Sequence, residues 1–286
     1  MSEKILIASD STCDLSPELI EQNNIKILPL GVSLGENNFI DGVDITPDDI
    51  YVHYEKTKQL PKTAAVNVAE FSAFFEKYVN EGYSIVMFTI SAQMSSTYNN
   101  ARLAAEEFEG VYAVNTENLS TGGGLLVLSA CQMAKEGMSA KEIAEKCEQI
   151  AKRVDASFII DSLEFLYKGG RCSALEALGA NLLQLKPCIT VRGGKMGVGK
   201  KYRGKFGDVL KKYISDQLGN GENLELDYVF VTHAGCDPQI VDACVEQVKS
   251  LVPFKNLFVT RAGCTISSHC GRNTLGVLFV RKTPLE

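Results

Sequence analysis

Along the first half of the chain, short continuous apolar runs alternate with stretches of amphipathic spacing, which predicts strands alternating with helices. Lys4–Ala8 reads as a buried strand ending in the polar cluster Ser9-Asp10-Ser11-Thr12, and Ser16 then caps a helix with Pro17 at its first position. Ile25–Leu34 reads as the next strand, followed by a turn at Gly35-Glu36-Asn37-Asn38. Thr46-Pro47-Asp48-Asp49 opens a helix that fades before Pro61, and Asn67 with Glu70 opens another that stops at Gly82. Ser84–Ile90 is a strand, Ser95–Phe108 a helix and Val111–Val114 a strand. Glycines 122–124 lead into an apolar helix, and Ser139 with Glu142 forms the capping pattern of a further one. This rhythm predicts a mostly parallel sheet with helices on both faces.

Near Arg153–Ala156 the rhythm changes. Ser157–Asp161 reads as a strand, and Cys188–Arg192 and Gly197–Arg203 as two strands around Gly193-Gly194-Lys195. A helix over about residues 205–218, a strand at Leu226–His233, a helix after Asp237-Pro238 and strands at Leu257–Arg261 and Leu275–Arg281 complete the pattern. Hairpins mixed with crossovers predict a mixed sheet. The fold class is therefore α/β, with one α/β domain over 1–154 and a second over 155–286. A length of 286 residues is long for one core and suits two.

The stretch Leu163–Lys195 joins these patterns in an informative way. Arg171 follows a Gly-Gly pair, and Ser173 with Glu176 forms the S-x-x-E cap of a helix. That helix carries Leu175, Leu178, Leu182, Leu183 and Leu185 and stops at Pro187. A guanidinium beside free helix N–H groups is an anion site, and here it adjoins an apolar helix. The combination points to a ligand with a charged head and an apolar body. An ordinary turn, with glycines that satisfy backbone geometry, explains the same residues.

Charge changes the picture locally. The net charge of −6 argues against nucleic acid as the main partner. Between Arg192 and Lys212, however, eight basic residues face one acid, Asp208. The run is either a solvated face or a docking surface for an acidic or phosphate-bearing partner. The nine cysteines are odd in number and scattered without C-x-x-C, and the N-terminus turns polar within a few residues. Free thiols in a reducing cytoplasm are the expectation, with no signal peptide and no membrane span.

Familiar catalytic patterns are missing. Gly194-x4-Gly199-Lys200 approaches a phosphate loop, but Lys201 stands where magnesium needs Ser or Thr, and strands flank it on both sides. The glycines at 122–124 lack dinucleotide-binding spacing. His53, His233 and His269 stand in no metal-ligand pattern, and no G-x-S-x-G elbow occurs. What remains are hydroxyl-rich clusters at strand ends: Ser9 to Thr12, Thr63, Ser91 to Thr97, Asn115-Thr116 and Thr265 to His269. Ligands bind at such ends in open α/β sheets, although Ser95 serves equally well as a simple helix cap and His269 as a structural histidine.

Several motifs resemble the DegV family. They are D-S-x-x-D-L (Asp10, Ser11, Asp14, Leu15), D-G-V-D-I at 41–45, S-x-x-x-S-x-T-Y-N-x-A at 91–101, LEFLYKGGR at 163–171 and S-H-x-G before L-G-x-x-F at 268–279. They run collinearly over the whole chain. The resemblance implies two α/β domains of the DegV-like (EDD) type and a long-chain fatty acid enclosed in a tunnel, its carboxyl group near the domain interface. It also implies a non-catalytic, cytoplasmic carrier, without metal or cofactor, that presents the acid to a separate fatty acid kinase subunit for acyl-phosphate formation and phospholipid metabolism. Carried over by position, Thr63 and Ser95 hydrogen-bond the carboxyl group and His269 completes the network. Ser91, Ser96 and Ser268 make secondary polar contacts, and Arg171, Arg192 and Arg203 meet the phosphoryl group or the kinase. The chain departs from the family pattern at Ala64-Ala65-Val66 (usually S-x-P), at Asn115-Thr116 (usually Asp-Ser) and at Ser268 (usually Thr).

Energetics fit a carrier. Burying about fourteen methylenes of an acid of about C14–C18 offers on the order of 10 kcal/mol before ordering costs. A carboxylate removed from water without partners would cancel much of that. Two other readings stay open: a lipid sensor with no kinase partner, and a small-substrate phosphotransferase-like enzyme using Arg171 and the basic loop.

Overall fold

The computed structural model describes residues 3–173 and 185–285. The leucine-rich helix predicted after Ser173 falls almost wholly on 174–184 and lies outside the described residues.

The first sheet is parallel, in the order β2-β1-β6-β7, from β1 (Ile5–Asp10), β2 (Lys26–Leu28), β6 (Ser84–Thr89) and β7 (Val111–Asn115). Both of its faces are covered, which explains why its strands read as unbroken apolar runs. Leu6, Ala8, Ile85 and Met87 point one way, onto Phe71 and Phe75 of α3 (Val68–Asn80) and Ala101 and Ala104 of α4 (Thr97–Ala105). Ile7, Val86 and Phe88 point the other way, into a core built on α5 (Thr121–Lys135) and α6 (Ala140–Ala151). The predicted caps form: α1 (Pro17–Gln22) starts on Ser16, and capping boxes Asn67/Glu70 and Ser139/Glu142 open α3 and α6.

Between β2 and α3 the chain makes a small antiparallel sheet, β4-β3-β5, from β3 (Gly31–Leu34), β4 (Asn37–Ile40) and β5 (Lys62–Ala64), with α2 (Pro47–Thr57) inserted. The single strand predicted over 25–34 is therefore two strands in different sheets. Pro29 has no N–H to offer a ladder, and the Leu30 N–H donates to Ser11 Oγ instead (3.1 Å).

The second sheet is mixed, in the order β10-β9-β8-β13-β11-β12. It comprises β8 (Val154–Ile160), β9 (Lys186–Arg192), β10 (Lys195–Tyr202), β11 (Leu224–Ala234), β12 (Asn256–Arg261) and β13 (Thr274–Arg281), and only β11 and β12 pair in parallel. Between β8 and β9 lies the short α7 (Glu164–Lys168). One face of the sheet, with Val229, Val231, Val277 and Phe279, packs on α8 (Phe206–Leu218) and α9 (Pro238–Leu251). The other, with Ala156, Phe158, Phe230 and Leu278, joins the core around α5. A last short helix, α10 (Cys264–Cys270), lies between β12 and β13. Sequence spacing had shown those residues only as a polar cluster.

The glycines around these elements have steric causes. Gly193 (φ +53°) and Gly194 (φ +78°) form the turn between Arg192 and Lys195, where both residues need positive φ, so the near-phosphate-loop sequence is a β9–β10 hairpin. The run 122–124 lets α5 approach its neighbours: a Cβ on Gly124 would sit 2.8 Å from the Cys13 carbonyl oxygen, and one on Gly122 2.4 Å from Asn118 Oδ1. No nucleotide is needed to explain it. Gly124→Ala is expected to lower stability by about 1–3 kcal/mol through overpacking, read as a reduced urea midpoint. An unchanged midpoint would mean that α5 can move away from Cys13.

Candidate functional site

In the first sheet the strand order reverses between β1 and β6, so the loops after these strands open a crevice at their C-terminal ends. The loop after β6 carries Ser95, and its course is set by buried partners. Asp10 Oδ2 accepts from Ile90 N (2.8 Å), and Asn115 Oδ1 accepts from Ala92 N (3.1 Å). Asn115 and Thr116 are thus loop supports, with the Thr116 hydroxyl donating to the Thr89 carbonyl (2.8 Å). Burial raises the Asp10 carboxyl to about 6, against the hydrogen bonds from Thr12 and Ile90 that lower it.

Above this crevice lies a cavity of about 230 Å³ walled by both domains. Leu30, Ile90, Met94, Leu119, Phe158, Leu166, Met196 and Ile266 make most of its surface apolar. Thr63, Ser95, Ser96, Arg171, Thr265 and His269 bring polar groups to the same wall. A smaller chamber of about 40 Å³, lined among others by Ala262, Gly276 and Leu278, lies beyond Leu119, Phe158, Ile266 and Cys270, which border both spaces. The cavity is mostly apolar, with its polar groups drawn from widely separated segments.

The polar groups are ordered around one contact. Thr63 Oγ1 on β5 and His269 Nε2 on α10 lie 2.9 Å apart, although 206 positions separate them in sequence. Burial, with a smaller contribution from the Arg171 charge, pulls the imidazole down to about 4, so the ring is neutral near pH 7. Its Nδ1 is buried and has no hydrogen-bond partner among the described residues. It faces Gly169, where a Cβ would come within 2.7 Å of Nδ1. Gly169 is therefore glycine because the imidazole lies against it. If Nε2 carries the proton and donates to Thr63, the threonine hydroxyl is left free to donate into the cavity. Ser95 Oγ lies 2.8 Å from Thr97 Oγ1 and accepts from Thr97 N (3.3 Å) just before α4, whose N-cap position, Ser96, makes no side-chain cap bond; the Ser95 hydroxyl stays on the cavity wall. The exposed Arg171 donates to the Gly169 carbonyl (2.8 Å) and contributes the positive charge of this wall.

The other expected residues lie elsewhere. Ser91 is fully buried and donates to the Gly194 carbonyl (2.7 Å), tying the β9–β10 hairpin to the first domain. Ser268 is buried off the cavity wall, and its hydroxyl has no partner among the described residues. Arg192 is not a free cation: it binds Asp155 (3.1 Å), a carboxylate 1% exposed that also accepts from Arg281 (2.6 Å). Arg203 is exposed after β10 and is not among the lining residues. In the sequence, Gly169 reads as turn chemistry and Asp41 carries no visible role. Asp41 stands inside a quoted motif, but only the fold shows its contacts with α10.

Such an arrangement can hold an elongated apolar body and receive an anionic head. Among the described residues, no group of three or more His, Cys, Asp or Glu could hold a metal ion, and no helix is long and apolar enough to cross a membrane. A two-domain α/β protein with an interdomain apolar cavity is the class that fold and site define. The chain belongs to the DegV family, whose model matches residues 4–282. It is 33% identical over 285 residues to a DegV domain-containing protein of Clostridium acetobutylicum, covering 98% of this chain and 99% of the relative. Among solved structures, it resembles a fatty-acid-binding DegV family protein from Thermus thermophilus, with TM-score 0.90, 27% identity and coverage of 97% and 99% of the two chains. It also resembles a stearic-acid-binding protein from Eubacterium ventriosum, with TM-score 0.82, 27% identity and coverage of 97% and 98%.

Because folding lowers the proton affinity of His269, the neutral ring contributes stability that is complete above the ordinary value of 6.5 and is lost as pH falls toward about 4. Thermal midpoints of the wild type should therefore fall more steeply over that window than those of His269→Gln. Parallel curves would show that the ring titrates normally.

Proposed function

We propose that this protein binds a long-chain fatty acid, with the acyl chain in the apolar cavity and the carboxylate against Thr63, Ser95 and His269. The observation that carries the reading is the coincidence of a largely apolar wall with a neutral, hydroxyl-rich cluster and an exposed cation, Arg171. Fatty acid binding by the two structural neighbours supports it. The head group needs donors, because a carboxylate has about four acceptor sites and costs several kcal/mol when buried without partners. Thr63 and Ser95 supply neutral donors, while His269 directs the Thr63 proton outward. Arg171 supplies charge without burying it.

The reading extends to a role. Arg171 stands exposed where the polar end of the cavity meets the surface, so a carboxylate oxygen held there faces an incoming reactant. The protein then acts in the cytoplasm as a non-catalytic carrier, presenting the acid to a separate fatty acid kinase subunit that uses ATP. Arg171 and the exposed Arg203 beyond the hairpin are its contacts with the phosphoryl group or the kinase. All nine cysteines are buried, and the free thiols of Cys13, Cys131, Cys147, Cys188, Cys236, Cys244, Cys264 and Cys270 accord with a reducing compartment.

Denatured protein should release a C14–C18 fatty acid detectable by mass spectrometry; an empty extract combined with no uptake of added acid would reject the reading. Ser95→Ala and Thr63→Val should each weaken retention by about tenfold, the usual cost of one hydrogen bond to a charged group. Arg171→Ala should retain the acid yet slow acyl-phosphate formation with a kinase subunit of the same organism. An unchanged rate would remove Arg171 from the transfer step. Ala262→Leu should fill the inner chamber and shift the co-purified acids to shorter chains, and an unchanged chain-length profile would show that the tail does not reach it.

A further inference from the structure

Helix α10 brings Thr265, Ile266, His269 and Cys270 to the cavity wall, and pairs at i and i+4 set them on one face. Yet it has no N-cap of its own. Gly263 stands at that position and offers no side chain, which would leave the first N–H groups without partners. Two carboxylates from the opposite end of the chain supply them. Asp14 Oδ1 accepts from Gly263 N (2.8 Å), and Asp41 accepts from Cys264 N (2.8 Å) and Thr265 N (3.0 Å) on its two oxygens. The Thr265 hydroxyl also donates to Asp41 (2.6 Å), and Ser11 Oγ donates to it from behind (3.0 Å). Asp41 is 4% exposed and Asp14 6%, and no Lys or Arg pairs with either among the described residues. The carboxyl oxygens of both are met by backbone N–H groups and hydroxyls.

The small sheet connects the two ends of this helix. Asp41 directly follows β4, and its N–H donates to the Leu30 carbonyl at the start of β3 (2.9 Å). On the other side of β3, β5 carries Thr63, paired in register with Val32. One three-stranded unit thus grips the start of α10 through Asp41 and the end of α10 through Thr63. A helix of this length spans about 10 Å, so a shift at one end is carried to the other. We propose that Asp41, supported by Asp14, is a positioning residue for the head-group cluster: it sets the axial position of α10 and so brings His269 to Thr63. This rests on the fatty-acid reading, because the consequence is retention of the acid.

The test compares Asp41→Ala, Asp41→Asn and Tyr213→Phe. The last serves as a stability control, since the Tyr213 hydroxyl bonds Ser157 and Val277 in the core beneath α8, away from the cavity. Two quantities are read: the dissociation rate of carboxyl-labelled hexadecanoic acid, and the ring-nitrogen resonances of His269 without added acid. Asp41→Ala should raise the rate about tenfold, the size expected for loss of a cap, and shift the His269 resonances. Asp41→Asn, which keeps one acceptor oxygen, should give a smaller increase. Tyr213→Phe should lower the thermal midpoint and leave both readouts unchanged. Wild-type rate and resonances in folded Asp41→Ala would overturn the positioning role, as would equal changes in Tyr213→Phe. Should Asp41→Ala not fold, wild-type behaviour of Asp41→Asn overturns it alone. If the wild type itself retains no acid, the fatty-acid reading fails, while the His269 resonances still decide whether Asp41 sets the helix.

Discussion

The contact between Thr63 and His269 is the constraint on which the rest of the site depends. It joins a short edge strand of one domain to a short helix of the other, and both residues line the cavity. Burial keeps the imidazole neutral, so the bond is an ordinary donor–acceptor pair. A charged ring there would draw an anion more strongly, but at the cost of burying a cation beside Arg171. The protein instead places its charge at the rim and its neutral donors inside. On the proposed reading, a head group is held there and stays reachable.

Around that contact, the two domains are joined by polar bonds as well as by a shared core. Helix α5 packs against both sheets, and buried hydroxyls continue the link from Thr121 to Thr232 (2.6 Å) and on to Thr260 (3.0 Å). Burial raises the Asp14 carboxyl to about 8, opposed by its bonds from Ser120 and Gly263, which marks how far this interface is removed from water. Polar groups so placed fix a unique geometry more than they add stability.

Much of this was legible in the sequence because it is local. Unbroken apolar strands announced a sheet covered on both faces, and Asn67-x-x-Glu70 and Ser139-x-x-Glu142 marked helix starts that form as expected. Gly193-Gly194 between two short strand-like runs announced a hairpin. Arg171 stood out as an anion site beside a Gly-Gly pair, and Thr63, Ser95 and His269 within hydroxyl-rich strand ends; motif resemblance gave them roles, and the fold brings all four to one wall. What stayed hidden depends on distance in sequence. Helix α10 lacks a local start signal because its cap is Asp41, more than two hundred residues away. Strands of three or four residues in the small sheet are too short for a period to show. Arg192 looked available because nothing in its neighbourhood reveals Asp155, and Gly169 looked like turn chemistry although a side chain there would strike His269.

On the proposed reading, the polar cluster selects a carboxylate and does not merely tolerate the end of an apolar chain. Calorimetric titration of the delipidated protein with hexadecanoic acid and with the primary alcohol of the same chain tests it most directly. With Arg171 and the hydroxyl–imidazole cluster gripping an anion, the acid should bind about a hundredfold more tightly than the alcohol. Equal affinities would contradict the claim and leave the cavity as a greasy pocket with no grip on the head.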